Sequence, residues 1–284
     1  MLAAFAGPSE METDMDIDSA DSGDPAAVSE YVGDIAAHWK SEEVAKTAKH
    51  GYMAQQTDIN EKMRAILIDW LVEVHLKFKL MPETLFLTVN IIDRFLERKL
   101  VVRQKLQLVG VTAMLLASKY EEIYAPEVRD FVYITDKAYT KEQILQMEAQ
   151  MLNALDFRIT VPTAYVFLNR FLKACGETEA TAKINLMSSY LVERALQEYK
   201  TLAYTPSKLA AAGVNMAMRT VRGPAAWDAK MERFTGYKQS DLVDAIRDIQ
   251  GMLEGQAVNN LKAVSRKYSL PKFSEVALGP VANL

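Results

Sequence analysis

KMRAILIDWLVEVHLK, residues 62–77, is the stretch whose reading decides the fold. Wound at 100° per residue, Met63, Ile66, Leu67, Trp70 and Val74 form one apolar stripe. Ala65, Ile68, Val72 and Leu76 form a second on roughly the opposite side. Arg64 and His75 lie on one flank between the stripes, Asp69 and Glu73 on the other. A surface helix needs a single apolar face. A helix with two is either enclosed in a core or offers its second face as the floor of a peptide groove. Periodicity alone leaves both arrangements open.

Outward from this helix the chain continues in helical periods. Asp58-Ile59-Asn60-Glu61 has the shape of a capping box, which makes Asp58 the expected N-cap. Pro82 suits the start of the next helix, with residues 84–96 strongly amphipathic, and residues 98–105 form a basic connection. Residues 106–120 are so apolar that they belong in the middle of a bundle. Pro126 precedes a short helix ending near Ile134, and residues 140–155 complete a set of five with Ile144, Met147, Met151 and Leu155 inward.

A second set follows. Pro162 starts a helix through Lys173, Cys175-Gly176-Glu177 is a break, and residues 181–199, 207–221, 226–234 and 240–254 supply four more. Residues 157–161 read as a linker and no strand is expected. The halves also echo each other. Leu106-x-x-x-Gly110-Val111 reappears as Leu209-x-x-x-Gly213-Val214, and Tyr139-x-x-x-x-Ile144 as Tyr237-x-x-x-x-Leu242. Glycine at matching central positions implies close helix approach in both halves. The expected class is all-α, with tandem five-helix domains at 58–157 and 158–256. An N-terminal helix and connection occupy 29–57, the helix spanning about 29–39 with Ser29 as cap, and a C-terminal tail occupies 257–284. Tyr31, Ile35 and Trp39 recur every four residues, a narrow stripe able to dock on another surface.

Composition narrows the function. Half of the 284 residues are apolar and a quarter charged, as in soluble globular proteins. Residues 1–30 hold eight acids and no Lys or Arg, and residues 1–28 read as a disordered acidic tail. Taking those eight from the 37 acids leaves 29 against 33 bases, a mild +4 that gives no footprint for nucleic acid. No window is long and apolar enough to span a membrane. The single Cys175 excludes an internal disulfide and suits a reducing compartment. His38, His50 and His75 have no Cys or carboxylate at metal-ligand spacing, and no phosphate loop, nucleophile elbow or kinase catalytic loop is present. Cys175, with no His nearby, reads as an ordinary thiol, and Glu121-Glu122 as a solvated helix end. The expectation is a binding protein, not an enzyme, with no cofactor.

Several motifs in register then resemble the cyclin box: Met63-Arg64-Ala65-Ile66-Leu67-x-Asp69-Trp70-Leu71-Val72-Glu73-Val74, Ile92-Asp93-Arg94-Phe95-Leu96, Lys105-Leu106-Gln107-Leu108-Val109-Gly110 and Ala117-Ser118-Lys119-Tyr120-Glu121-Glu122-Ile123-Tyr124. The match runs from about Tyr31 to Tyr268. The segment Ile68–Phe78 looks like the mitotic B-type subgroup, with A-type the near alternative. The resemblance implies a non-catalytic subunit that activates a cyclin-dependent protein kinase in a one-to-one heterodimer, in nucleus and cytoplasm. ATP, magnesium and the catalytic Asp would belong to the partner.

Residue by residue, the resemblance implies a kinase-binding set of Tyr31, Ile35, Leu116, Lys119, Tyr120, Glu121, Glu122, Ile123, Glu148, Phe157 and Ile159. From residues alone, Lys119 and Glu148 could equally be a surface ion pair, and Tyr31, Ile35 and Trp39 could pack on the second domain. A docking patch for Arg-x-Leu peptides of substrates and inhibitors is implied at Met63, Ile66, Leu67, Trp70, Glu73, Leu106 and Gln107. Arg64 and Asp93 are expected as a structural brace. Departures from the family pattern are Ala125 where a proline is common, and a short tail lacking the usual destruction signal. The Arg103-x-x-Leu106 element lies inside the expected fold. A transcription initiation factor on the same fold would want a basic face and a zinc ribbon, and a helical scaffold without a kinase is the third reading.

Overall fold

The computed structural model describes residues 17–176, 179–255 and 260–282. Twelve α-helices and no strand occur among them. Helix α1 (Val32–Glu42) precedes a first group, α2 (Glu61–Phe78), α3 (Pro82–Arg98), α4 (Arg103–Glu121), α5 (Val128–Ile134) and α6 (Lys141–Ala154). After an irregular link through residues 158–163 comes a second group, α7 (Ala164–Ala174), α8 (Glu179–Ala195), α9 (Pro206–Arg222), α10 (Ala229–Thr235) and α11 (Gln239–Gly255). Helix α12 (Ala263–Tyr268) follows.

Local chemistry sets these boundaries. The Asn60 side chain, not that of Asp58, caps α2 by accepting from the Met63 amide at 3.0 Å. Asp58 instead accepts from the Arg103 amide at 2.8 Å and so supports the start of α4. Thr140 and Gln143 form a capping box on α6, Thr205 caps α9, and Asp228 caps α10. Helix α1 begins at Val32, three residues later than the sequence suggests, with Tyr31 at its N-cap and no side-chain cap.

Each group is built around its most apolar helix. In α4 every residue from Leu108 to Ser118 is buried, and α2, α3, α5 and α6 pack around it. In α9 the unbroken run Leu209–Met218 is buried, with α7, α8 and α11 around it. The paired glycines lie where a neighbouring helix leaves no room for a Cβ on these central helices. A Cβ on Gly110 would meet Leu67 Cδ1 at 2.7 Å, and one on Gly213 would meet Val192 Cγ2 at 2.5 Å. Ile144 and Leu242, the second members of the repeated Tyr-x-x-x-x motif, are fully buried.

The groups are joined by part-buried polar contacts as well as by the packing of α3 on α7. Asp69 on α2 accepts from Gln197 Nε2 at 2.6 Å and from the Ala263 amide at 2.9 Å, pinning the start of α12. Lys267 on α12 pairs with Glu193 on α8 at 2.6 Å, and the Tyr268 hydroxyl donates to the same carboxylate. The C-terminal tail of the sequence reading is thus partly a docked helix. One further difference concerns the N-terminal side. Residues 1–16 of the expected disordered tail lie outside the described residues, but 17–28 are ordered against α7, with 3₁₀ turns at Ser19–Asp21 and Pro25–Ala27. Ion pairs from Asp18 to Arg170 and Lys173 offset the cost of ordering so polar a segment.

Candidate functional site

Two surfaces on the first group gather the residues singled out from sequence. The first lies at the C-terminal end of α4. Lys119 in its last turn donates to Glu148 on α6 at 2.7 Å, with side chains 47% and 14% exposed. The surface ion pair is therefore present, and its lysine remains open to solvent. Around it stand exposed apolar and aromatic groups: Tyr120 at 49%, Phe157 at 66%, Ile123 at 88% and Tyr124 at 92%. Single exposed hydrophobes are ordinary, whereas a cluster of this kind marks an interaction surface.

The cluster is held rigidly. The Tyr120 hydroxyl bonds Thr160 Oγ1 at 2.6 Å, tying the end of α4 to the link between the groups. Asp156 and Phe157 adopt φ of 53° and 56°, a left-handed turn rare for residues with side chains. Arg94 Nη1 donates to the Arg158 carbonyl at 2.9 Å and steadies that turn. Glu122 accepts from the Met81 amide at 2.8 Å and from the Thr84 hydroxyl, taking the place of a cap that α3 lacks. Its carboxylate fixes the departure of the 122–127 loop and is engaged within the chain. Glu121 is half-buried, and burial, then the neighbouring Glu83 and Glu122 charges, raise its pKa. Leu116 and Ile159 are buried beneath the cluster. Tyr31 is exposed and Ile35 half-buried on α1. Trp39 stacks edge-on to Phe167 at 6.4 Å, so this end of the stripe packs on the second group.

The second surface answers the two-stripe puzzle of α2. Ile68, Leu71 and Val72 are fully buried. On the other side Ile66 is 52% exposed, Met63, Trp70 and Gln107 are half-buried, and Leu67 and Leu106 are buried between α2 and α4. A shallow apolar strip with a partly open indole results. Glu73 stands at its end, already facing Arg266 of α12 at 3.1 Å, both side chains exposed. Sequence reading missed Arg266 because 193 residues separate the pair. The exposed Tyr124 and Tyr133 were also absent from the expected site.

Arg64 and Asp93 meet in a buried bidentate pair at 2.6 and 2.7 Å, joined by the Tyr52 hydroxyl at 2.8 Å. Arg64 Nη1 also reaches the Leu196 carbonyl at 3.1 Å, so the brace spans both groups. Burial pushes the Cys175 thiol up to about 11, which makes it a poor nucleophile at neutral pH. Among the described residues no group of three or more His, Cys, Asp or Glu is placed to hold a metal ion, and no helix is long and apolar enough to cross a membrane.

Comparison with known proteins fits these two groups. Residues 34–160 match the family described as Cyclin, N-terminal domain, and residues 162–282 match Cyclin, C-terminal domain. The chain is 50% identical over 264 residues to Cyclin-B2-1 of Oryza sativa subsp. japonica, covering 93% of this chain and 62% of that protein. It is 49% identical to G2/mitotic-specific cyclin-1 of Medicago sativa subsp. varia, covering 92% of this chain and 60% of that one. With G2/mitotic-specific cyclin-2 of Medicago sativa the identity is 48%, over 93% of this chain and 79% of the relative. The chain thus spans about three fifths of the length of the first two relatives. Among solved structures, a viral cyclin from herpesvirus saimiri superposes with a TM-score of 0.69 at 20% identity, covering 76% of this chain and 95% of that one. A chain of the yeast RNA Pol II CTD kinase CTDK-1 complex gives 0.58 at 15% identity, covering 79% of this chain and 78% of that one.

Proposed function

This chain belongs to the cyclin family, with mitotic B-type proteins among its relatives, and from that premise we propose that it is the non-catalytic regulatory subunit of a cyclin-dependent protein kinase. The observation that carries the reading is the exposed cluster around Lys119 and Glu148, mounted on the rigid end of α4. A protein kinase transfers phosphate efficiently only when its β3 lysine pairs with the glutamate of helix αC. A stiff partner that binds the productive position of that helix shifts the kinase population toward it. Tyr120, Ile123 and Phe157 offer apolar contact, while Lys119 and Glu148 offer charges of both signs for the helix ends and polar flanks. No side chain of this subunit touches the transferred phosphoryl group.

The open strip of α2 has a separate role in this reading. Trp70, Ile66 and Met63 with Leu106 and Gln107 take the apolar residue of Arg-x-Leu peptides, and Glu73 turns from Arg266 to meet the peptide's arginine. The complex is a one-to-one heterodimer acting at mitosis in nucleus and cytoplasm. The matched chain from a CTD kinase complex supports a kinase partner for this fold. The direct test measures phosphorylation by a purified cyclin-dependent kinase with and without the chain. Stimulation of about a hundredfold or more is expected, since a misplaced αC costs several kcal/mol of transition-state stabilisation. Equal rates in both arms would refute the reading.

A further inference from the structure

The N-terminal segment is seated on a cationic edge of α7. Asp18 Oδ1 accepts from Arg170 Nη1 and from Lys173 Nζ, each at 2.6 Å, and Lys173 also contacts Asp21. The Asp18 side chain is 13% exposed and that of Arg170 17%, so this is an enclosed contact rather than a loose surface pair. Burial raises the Asp18 pKa, but the hydrogen bonds from Arg170 and Lys173 outweigh it and hold the carboxyl below its ordinary value. Ile17 packs against the core beside it.

Arg170 also lines a groove of about 460 Å³ between α1, α7 and α10. Trp39, Phe167, Phe171 and Phe234 supply aromatic walls, and the exposed Arg233 stands on the rim. The clamp and the groove are therefore continuous through one side chain. Acid and apolar character alternate in the sequence leading into the clamp. Residues 10–24, EMETDMDIDSADSGD, hold seven acids, no base, and Met11, Met15 and Ile17 at odd positions. Thioethers and aromatic walls attract each other, and carboxylates complement Arg170, Lys173 and Arg233.

We propose that Arg170 and Lys173, with the aromatic groove beside them, form a docking site for an acidic peptide with interspersed apolar residues on a partner protein, and that Asp18 and Asp21 guard it in cis. The tethered segment acts as a built-in competitor at an effective concentration in the millimolar range. Only a partner peptide of higher affinity, or release of the segment, opens the site. The proposal stands apart from the kinase reading, because neither the Lys119–Glu148 cluster nor the α2 strip takes part, although Trp39 of the groove wall shares α1 with Ile35 and its N-cap Tyr31.

The test uses the full chain and a fluorescein-labelled peptide of residues 10–24 as the probe, read by anisotropy. The wild-type chain is expected to bind weakly. Asp18→Asn with Asp21→Asn should bind about tenfold or more tightly, because the cis competitor is released. Adding Lys173→Gln, a half-buried residue, should reverse that gain, as should Arg170→Gln, with circular dichroism checking that each variant keeps the parent's helical spectrum. A peptide with its acids changed to Asn and Gln should not bind. The proposal is overturned if the Asp18/Asp21 variant shows no gain, or if its gain survives Lys173→Gln and Arg170→Gln. Dimerisation of the variant without peptide binding would likewise overturn it, by assigning the site to a second copy.

Discussion

Asp93 receives the Arg64 guanidinium side-on, Nε to Oδ1 at 2.6 Å and Nη2 to Oδ2 at 2.7 Å, with the two side chains 3% and 2% exposed. Burial alone would favour a neutral Arg64, but the Asp93 charge and hydrogen bonds more than offset it and raise its pKa. The third guanidinium nitrogen spans to the Leu196 carbonyl of the second group, and Tyr52 closes the cluster from the N-terminal side. Removing one partner of such a pair strands a charge in the interior. Arg64→Ala is therefore expected to lower unfolding free energy by about 3–5 kcal/mol. Urea unfolding checks the value, and a loss under about 1 kcal/mol would mean the pair is not the brace.

Lys119 and Glu148 present the opposite case. Their pair is half in solvent and worth about 0–1 kcal/mol, so exchanging the charges costs the fold little. Lys119→Glu with Glu148→Lys can re-form the pair in reverse, leaving unfolding free energy within about 1 kcal/mol of the parent. The pattern presented to a partner is nevertheless inverted. Pulldown of a cyclin-dependent kinase should be lost. A double variant that binds and activates normally would place the kinase interface elsewhere.

The Trp70 indole is half-buried on the open stripe of α2, and its truncation should be felt by a peptide more than by the core. Trp70→Ala is expected to cost about 2–4 kcal/mol of binding for an Arg-x-Leu peptide. In a kinase assay the phosphorylation of an Arg-x-Leu substrate should fall relative to a short peptide lacking that element. Equal loss on both would show that Trp70 acts as core.

How much of this was legible beforehand follows from sequence distance. The helices were readable because their apolar period is local, and the buried glycines because a Gly inside a helix is otherwise unfavourable. Contacts made across the fold were not. Asp58 and Asn60 both suit an N-cap, and only the Arg103 amide, 45 residues away, draws Asp58 off. Glu122 looked like a solvated helix end until Met81 and Thr84 met it. Composition spoke for disorder in residues 17–28, since nothing nearby offers Asp18 a cation, and Arg170 and Lys173 come from more than 150 residues on. Helix α12 was hidden because it is 6 residues long and its Lys267 is buried only through Glu193.

The two glycines at the helix crossings should respond differently to one added methyl. At Gly110 the clash at 2.7 Å is with the far end of Leu67, a flexible side chain that can turn aside. At Gly213 the clash at 2.5 Å is with Val192, whose branched Cβ leaves it little rotamer freedom. Alanine gains about 1 kcal/mol of helix propensity at either site. Overpacking costs about 1–3 kcal/mol. Gly110→Ala is thus expected to be near neutral, and Gly213→Ala destabilising by about 1–2 kcal/mol. Paired denaturation curves decide it, and the reverse order would contradict the packing described.

His75 sets a pH dependence whose sign can be worked out. It lies near the end of α2, 4% exposed, with Nε2 donating to the Met81 carbonyl at 3.0 Å. Burial, reinforced by the nearby Lys267 charge, pushes its pKa down to about 4 from the ordinary 6.5. Above pH 6.5 the ring is neutral whether the chain is folded or not, so it contributes no pH dependence there. As pH falls below 6.5 the unfolded chain takes up a proton that the folded chain refuses, and stability declines until about pH 4. The full effect is about 3 kcal/mol. His75→Gln can keep the donated hydrogen bond to Met81 without titrating. Between pH 6.5 and 5, above the range of ordinary carboxylates, its unfolding free energy should fall less steeply than that of the parent. Parallel curves over that interval would mean that His75 is accessible to protons in the folded chain, and that the packing of α12 against α2 is looser than described.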